Sequence, residues 1–371
     1  MLERAEAPLE LGTGLQLGPN AVRVLARLGL GPALFDVALR PAALELRSAH
    51  SAHLIARMPL AGHAEKRYGA PYCVLARPAL HRLLTEAALR AGALIRYSSE
   101  VEGAVLDGDG VAVRLAGAAP VPAAALVGAD GLWSRVRAAG WPARRPRRAG
   151  MTAWRAVLPP DAAAATPGPG TVTAWLAPRL HAVTYPIDRA GTLNIVVVAA
   201  SGVGGEGWNV RAEAQQMSDL ARGLCQPLSG HLAAAVDWRT WPLFDARLPG
   251  VRFSGPITLI GDAAHPMLPF IAAGAAMALE DSLALAAALA ATPADPATAF
   301  RRCERARRHR LARVVAAARR NGRIFHLSGP LARARDLALG TLSGEALLGR
   351  FDWLYGGGPA APAAAAHSGA T

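Results

Sequence analysis

The chain is short of lysine and of aromatic residues, and these shortages limit its partners. Lys66 is the only lysine among 40 basic residues, so the net charge of +13 comes from arginine. The basic runs at 144–148 and 301–310 contain no aromatic residue, whereas a surface that stacks single-stranded bases needs them. We therefore expect no nucleic-acid partner. Solvated helix faces and attraction of a small anionic ligand explain the charge equally well.

Cysteine is also scarce, and long uncharged apolar runs are missing. Cys73, Cys225 and Cys303 are far apart and show no CxxC spacing, which argues against a disulfide framework and against a metal site. The longest apolar run, 271–291, carries two acidic residues at its centre and makes a poor bilayer span. No signal peptide opens the sequence. The sequence predicts a cytoplasmic protein outside the membrane.

The most informative stretch that is present covers residues 257–289. A short apolar run predicts a buried parallel strand that stops at Gly261, and Asp262 follows where open α/β sheets bind ligands. A helical pattern begins at Gly274, so the backbone N–H groups of Gly274 and Ala275 are free for an electron-rich ligand. An ordinary strand–loop–helix crossover explains the pattern about equally well.

A second strand–turn–helix pattern, LVGADGLWSRVR, covers residues 126–137. Its apolar strand ends in a turn at Asp130. Because a carboxylate repels phosphate, we expect Asp130 to accept hydrogen bonds from sugar hydroxyls or to orient Arg135 or Arg137.

These motifs resemble those of the single-component (class A) flavoprotein aromatic hydroxylases, and are most similar to the salicylate hydroxylase and 3-hydroxybenzoate 6-hydroxylase type. The resemblance extends over nearly all of residues 1–355. It implies an α/β fold, in which a doubly wound, Rossmann-like FAD-binding domain with a truncated N-terminus joins an α+β substrate domain of mixed sheet. The implied segments are 1–45, 76–150 and 254–330 for the FAD-binding domain, 46–75 and 151–253 for the substrate domain, 331–355 for C-terminal helices and 356–371 for a flexible tail.

The resemblance assigns flavin contacts to the first motif. In the family, the aspartate after the glycine binds the ribitol chain of FAD, which implies this role for Asp262 beside Gly261. The backbone of Gly274 and Ala275 would face the pyrimidine edge of the flavin. Ala273 departs from the family, because relatives usually carry a glutamine there.

Other implied cofactor contacts lie earlier in the chain. Glu3 would hold the adenosine ribose, and Gln16 and Leu17 would lie beside the flavin. Arg77 precedes a proline-started helix, where its guanidinium would contact FAD in the manner of a phosphate clamp, although a solvated arginine is the alternative. Asp130 would lie near both FAD and the path of the NAD(P)H pyrophosphate.

The candidate substrate residues belong to the segment 180–186, LHAVTYP. Strand alternation places His181 and Tyr185 on one side, where packed, hydrogen-bonded core groups are the common outcome. The resemblance implies instead that both line a phenol pocket and help to remove the hydroxyl proton. The implied reaction is hydroxylation of a phenolic or related aromatic acid by a monomer or homodimer that uses FAD, NAD(P)H and O₂.

The family's first strand and glycine-rich turn would precede Glu3. Residues 202–207 match GxGxxG, but a surface loop before a helix capped at Asn209 is favoured there. We therefore expect that the sequence begins at an internal methionine of a longer enzyme, and that the 371 residues alone retain little FAD. A non-catalytic remnant, or a halogenase or reductase on the same fold, are the alternatives.

Overall fold

Sixteen strands and twelve α-helices form in the part of the chain that the computed structural model describes, which is residues 1–8, 13–141, 145–161, 170–200, 209–245 and 253–358. The strands are β1 (Gly14–Leu17), β2 (Ala43–Ser48), β3 (Leu54–Pro59), β4 (Cys73–Ala76), β5 (Val101–Asp107), β6 (Gly110–Leu115), β7 (Ala118–Ala123), β8 (Leu126–Gly128), β9 (Arg147–Leu158), β10 (Val172–Ala177), β11 (Leu180–Pro186), β12 (Leu193–Ala200), β13 (Val210–Arg211), β14 (Arg239–Asp245), β15 (Phe253–Ser254) and β16 (Ile257–Leu259).

The helices cover the sheets and close the chain. They are α1 (Pro19–Arg27), α2 (Gly31–Val37), α3 (His63–Tyr68), α4 (Arg77–Arg90), α5 (Arg135–Gly140), α6 (Ala214–Ala221), α7 (Gln226–Ala234), α8 (Gly261–Ala264), α9 (Gly274–Ala291), α10 (Pro296–Phe325), α11 (Gly329–Gly340) and α12 (Gly344–Gly349), followed by one π-helical turn at Asp352–Gly356.

Eight strands form one large mixed sheet in the order β13-β14-β9-β12-β11-β10-β2-β3. Only the β10–β2 pair is parallel among the strand pairs described in this sheet. Every residue of β10 is buried, as expected for a strand covered on both faces. On one face of this sheet, tryptophan side chains pack against helix α7. The indole N–H of Trp175 donates to the Thr184 hydroxyl at 3.0 Å.

The strand indicated by the alternation in segment 180–186 is confirmed as β11. The helix predicted to be capped at Asn209 is wrong. Asn209 donates its backbone N–H to Thr240 at 3.1 Å and leads into β13, and helix α6 begins only after Glu213. Pairing with β14 outweighs the local capping preference. The GxGxxG match at 202–207 and residues 359–371 of the predicted tail lie outside the described residues.

A smaller sheet places the two acidic turns side by side. Strands β8 and β16 pair in parallel, with Leu259 opposite Gly128, so both strands end at the same sheet edge. Asp130 and Asp262 follow these ends directly. Near the N-terminus Leu2 forms a parallel bridge to Arg96, as expected for a strand tip in this α/β architecture. This α/β architecture with a mixed sheet and C-terminal helices agrees with the predicted fold class; the predicted domain bounds stay predictions.

A buried ion cluster joins helices α9 and α10. The Arg307 guanidinium donates to Asp281 at 2.7 Å and to Glu280 at 2.6 Å, and Arg310 also donates to Glu280 at 2.6 Å. Among the described helices, α9 is long and apolar enough to cross a membrane by length and composition. Its acidic residues are nevertheless paired inside the protein, which is typical of a core helix.

We predict that Asp281→Asn lowers the free energy of unfolding by about 3–5 kcal/mol, because it breaks a buried ion pair and leaves Arg307 poorly compensated. Urea unfolding followed by tryptophan fluorescence would measure the change. Glu86→Gln, which removes an exposed pair with Arg90, is the matched control and should cost less than about 1 kcal/mol.

The Asp281 contribution also has a defined pH dependence. Burial alone would raise the pKa of this carboxyl, but His265 and Arg307 lower it from 3.8 to about 2. The stabilisation is therefore complete above about pH 4 and is lost as the pH falls towards about 2. A wild-type advantage over Asp281→Asn that is unchanged at pH 2.5 would contradict this assignment.

Candidate active site

The turn at Asp130 is fixed by its own helix. One carboxylate oxygen of Asp130 accepts the backbone N–H groups of Arg135 at 2.7 Å and Val136 at 3.1 Å, which satisfies free donors in the first turn of α5. Asp130 therefore holds the backbone of Arg135, and its contact with sugar hydroxyls stays a prediction.

Arg137 ties the two acidic turns together. Its guanidinium donates to the carbonyl of Ala263 at 2.8 Å and, weakly, to that of Asp262 at 3.4 Å. Burial lowers the pKa of Arg137, while the charges of Asp130 and Asp262 oppose that shift. The structure thus brings Asp130 and Asp262 to one place, with a buried cation between them.

Asp262 is exposed and borders the space between the ends of β8 and β16 and the start of α9, which is called the crevice. Burial raises the pKa of the Asp262 carboxyl, and the charges of His265, Arg77 and Arg137 counteract this rise. Arg77 is exposed at the first position of α4, and its charge acts on the Asp262 carboxyl. These groups form a site with one acceptor for hydroxyl groups and one cation for phosphate.

Gly261 and Gly274 give the crevice its shape. Gly261 has φ +56°, a left-handed conformation that favours glycine, and an added Cβ would lie 3.3 Å from the Ala278 side chain. Glycine therefore fits both the backbone conformation and the narrow space. At Gly274 an added Cβ would meet nothing within 4 Å, so open space lies in front of the first turn of α9. The backbone N–H groups of Gly274 and Ala275, in the first turn of α9, are free to donate into this open space. Acceptor, cation, free donors and space together fit an anionic dinucleotide with a planar ring.

A cavity of about 490 Å³ lies next to the start of α9. Apolar side chains from β2, β3, β10, α11 and α12 form most of its wall. The loop before α9 contributes residues 269–272, in which Ala272 has the uncommon φ of +50°. Among the described lining residues the charged side chains are Arg320 and Arg350, both exposed and without an acidic partner in the described chain.

His181 lines this cavity from β11. Its ring is buried, with the edges of Phe270 and Phe325 packed against it at centroid distances of 5.3 and 5.4 Å. The Nδ1 atom lies 2.8 Å from Nε2 of His326, at the end of α10. Burial, and to a lesser extent the neighbouring His326, lower the pKa of His181 to about 3. His181 is therefore neutral at physiological pH.

Tyr185 occupies a different position from the one predicted. It is not among the residues that line the cavity, because the backbone of Gly14 packs on its ring: a Cβ at Gly14 would lie 2.5 Å from it. The Tyr185 hydroxyl instead lies near the side chains of Gln16 and Asn194, and burial raises its pKa. Gln16 does line the cavity and also accepts the Tyr72 hydroxyl at 2.6 Å. Tyr185 reaches the cavity only through Gln16.

Two other predicted contacts are placed as follows. The carboxylate of Glu3 is exposed and accepts the backbone N–H of Ala5 at 2.9 Å, which leaves its second oxygen for a ligand. Leu17 is fully buried in the main core, so its side chain packs the wall behind Gln16 and does not face a ligand. Sequence reasoning missed His326, Arg320 and Arg350, because no spacing links them to the motifs.

Similarity to known proteins agrees with this geometry. The family described as an FAD binding domain matches residues 1–321. A 3-amino-4-hydroxybenzoate 2-monooxygenase of Streptomyces platensis is 35% identical over 95% of this chain and 88% of that enzyme. A 3-hydroxybenzoate 6-hydroxylase of Aquipseudomonas alcaligenes is 32% identical over 96% of this chain and 91% of that enzyme. The chain belongs to the FAD-dependent aromatic monooxygenases.

Solved structures share the same fold. HpxO of Klebsiella pneumoniae, complexed with FAD and uric acid, superposes with a TM-score of 0.82 at 25% identity, over 96% of this chain and 90% of HpxO. A substrate complex of salicylate hydroxylase gives a TM-score of 0.77 at 23% identity, over 92% of this chain and 87% of that enzyme. The family resemblance inferred from the two acidic motifs is thereby confirmed, and so is FAD as the cofactor of this family.

We predict that Asp262→Ala weakens FAD binding about 10- to 100-fold, since a charge-assisted hydrogen bond is worth roughly 1.5–3 kcal/mol. Titration of the purified protein with FAD, followed by quenching of flavin fluorescence, would measure the dissociation constant. Asp219→Ala removes an exposed carboxylate paired with Arg222 and serves as the control. Equal FAD affinity in the two variants would show that Asp262 does not contribute to FAD binding.

Proposed function

We propose that this monooxygenase hydroxylates a phenolic aromatic acid in the cavity beside α9, with NAD(P)H and O₂ as co-substrates. The observation that carries this proposal is the composition of the cavity wall: an apolar enclosure, one neutral histidine and two arginines, with no carboxylate among the described lining residues. Such a wall accepts a flat apolar ring with a hydroxyl at one position and an anionic group at another. The named relatives act on hydroxybenzoates and aminohydroxybenzoates, which supports the same class.

The cofactor-binding roles are part of the proposal. Asp262 would hold the ribitol hydroxyls, Arg77 a phosphate, Glu3 the adenosine ribose, and the first turn of α9 the electron-rich edge of the flavin ring. Asp130 would act mainly by holding α5 and, through Arg137, the Asp262 turn. When bound there, FAD supplies the redox and oxygen-transfer chemistry.

The residues of this chain have three tasks in the reaction. The apolar wall excludes water from the reacting ring. The neutral imidazole of His181 accepts a hydrogen bond or a proton from the substrate hydroxyl, which makes the ring more electron-rich. Gln16, which accepts the Tyr72 hydroxyl, presents a polar group to the cavity.

We propose that Arg320 and Arg350 provide the anion site for the substrate carboxylate. They belong to α10 and to the residue after α12, so both come from the closing helices and not from the substrate sheet. Because the described chain gives neither an acidic partner, each guanidinium is available for bidentate pairing with a carboxylate. We further propose that the protein works in the cytoplasm, as a monomer or homodimer.

The direct test is a screen of aromatic acids for stimulated NAD(P)H oxidation by the flavin-loaded enzyme, with products identified by mass. A product heavier by one oxygen atom supports the proposal. Chlorinated or brominated products formed in the presence of halide would support a halogenase instead. Oxidation of NAD(P)H that consumes no aromatic substrate would support a reductase.

We predict that the double variant Arg320→Met/Arg350→Met raises the KM for a hydroxybenzoate about 10- to 100-fold, because an ionic hydrogen bond is worth about 1.5–3 kcal/mol. The KM for the corresponding phenol without a carboxylate should change less than about threefold. Steady-state kinetics on both substrates would measure the two effects. Arg305→Met, an exposed arginine on α10 away from the cavity, is the control; equal effects on both substrates would contradict the anion site.

A further inference from the structure

Two histidines from distant parts of the chain meet at the wall of the cavity. His181 belongs to β11 and lines the cavity, whereas His326 follows the last residue of α10 and is not among the lining residues. Their ring centroids are 5.0 Å apart, and Nδ1 of His181 lies 2.8 Å from Nε2 of His326. This distance requires one proton between the two nitrogens. The contact occupies Nδ1 of His181 and leaves Nε2 for a ligand in the cavity.

The surroundings of the pair hold it in the neutral state. Phe270 and Phe325 pack against the His181 ring, and Phe270 also contacts His326 at a centroid distance of 5.9 Å. The charge that acts on His326 is that of Arg335 in α11, whose guanidinium donates to the carbonyls at the end of α10 and is paired with Asp336. Burial lowers the pKa of His326, and Arg335 lowers it further.

The remaining neighbours do not change this picture. The backbone N–H of Arg179 approaches the carbonyl of His326 at 3.5 Å, which engages the main chain and leaves the ring unaffected. The exposure of the two rings differs: His181 is buried, and His326 is only partly buried. The pair therefore runs from the cavity towards the outside of the protein.

We propose that His326 completes a two-imidazole relay that carries the proton of the substrate hydroxyl out of the cavity. In this relay the O–H bond of the substrate breaks and its proton goes to Nε2 of His181. At the same time the Nδ1 proton of His181 passes to Nε2 of His326, and the Nδ1 proton of His326 passes to water. The substrate is left as an anion, and one proton has been released. The relay rests on the proposed function.

The relay explains how the buried His181 can accept a proton without becoming charged. A buried imidazole among aromatic rings is a poor proton acceptor, and burial lowers its pKa to about 3. When the second proton leaves as the first arrives, His181 never carries a net charge. His326 acts through His181 and does not need to touch the substrate.

Two variants separate a relay from a merely structural contact. His326→Gln keeps a hydrogen-bond donor and acceptor beside His181 but cannot exchange a proton in the same way, and His326→Phe removes the contact altogether. His309→Gln, an exposed histidine on the same helix, is the control. Flavin content and circular dichroism of all three variants should match the wild type.

We expect kcat to fall about 10- to 100-fold in both His326 variants, within the range of general acid–base effects, while KM changes less than about threefold. The loss should diminish as the pH rises towards the pKa of the free phenol, about 10, or when a nitro-substituted phenol of lower pKa is used. A binding measurement without turnover gives a second reading. The absorbance of a bound nitrophenol should show the anion at lower pH in the wild type than in His326→Phe.

The relay is overturned if both variants retain the wild-type kcat, or if the loss is the same at every pH and for every phenol and the bound nitrophenol ionises as in the wild type. Failure of the proposed function looks different. In that case the wild-type enzyme itself hydroxylates no aromatic acid, while its NAD(P)H oxidation and flavin binding are intact.

Discussion

The carboxylate of Asp281 is the interaction on which the geometry of the site depends. It accepts the backbone N–H of Gly261 at 3.1 Å, contacts the ring of His265 and receives the Arg307 guanidinium at 2.7 Å. One buried anion thus joins the turn after β16, the core helix α9 and the long helix α10. Because Asp262 lies within that turn, its direction into the crevice is set by a residue that never faces a ligand. The neighbouring Glu280 extends the same cluster to Asn20 of α1 at 2.7 Å.

Two environments that require opposite chemistry lie on this framework. The crevice at the strand ends is polar, with Asp130, Asp262, Arg77 and Arg137 in electrostatic contact. The cavity beyond the start of α9 is mostly apolar, and its histidine pair is neutral. A dinucleotide needs hydroxyl acceptors and phosphate-binding cations, whereas attack on an aromatic ring benefits from exclusion of water. Helix α9 begins at the boundary between the two, so a planar ring placed at its first turn would contact both.

Local patterns were sufficient to predict strands β8 and β16, the acidic turns that follow them and the start of α9. An apolar run that stops at a glycine is a local signal, and β8 and β16 end beside Asp130 and Asp262 as that signal indicates. The start of α9 at Gly274 follows equally from local periodicity. His181 lies at the cavity wall, on a side of β11 that strand alternation, a local signal, can indicate; its role in catalysis stays a prediction.

Contacts between distant segments could not be predicted in this way. Alternation put Tyr185 on the same side as His181, but the cavity ends before Tyr185 because Gly14 of β1 covers its ring. His326 is 145 residues from His181, and no spacing rule connects them. Within the arginine-rich α10, Arg307 is buried while Arg305 is exposed, and only the partner helix α9 makes that difference. Tertiary packing, and not residue type, decided these cases.

A crystal structure of the protein with FAD and an aromatic acid bound would test the proposed site most directly. We expect the flavin ring at the first turn of α9, with a ribitol hydroxyl within hydrogen-bond distance of Asp262 and the substrate hydroxyl at Nε2 of His181. A flavin ring bound away from α9, or an Asp262 carboxylate that contacts no part of the cofactor, would contradict this expectation.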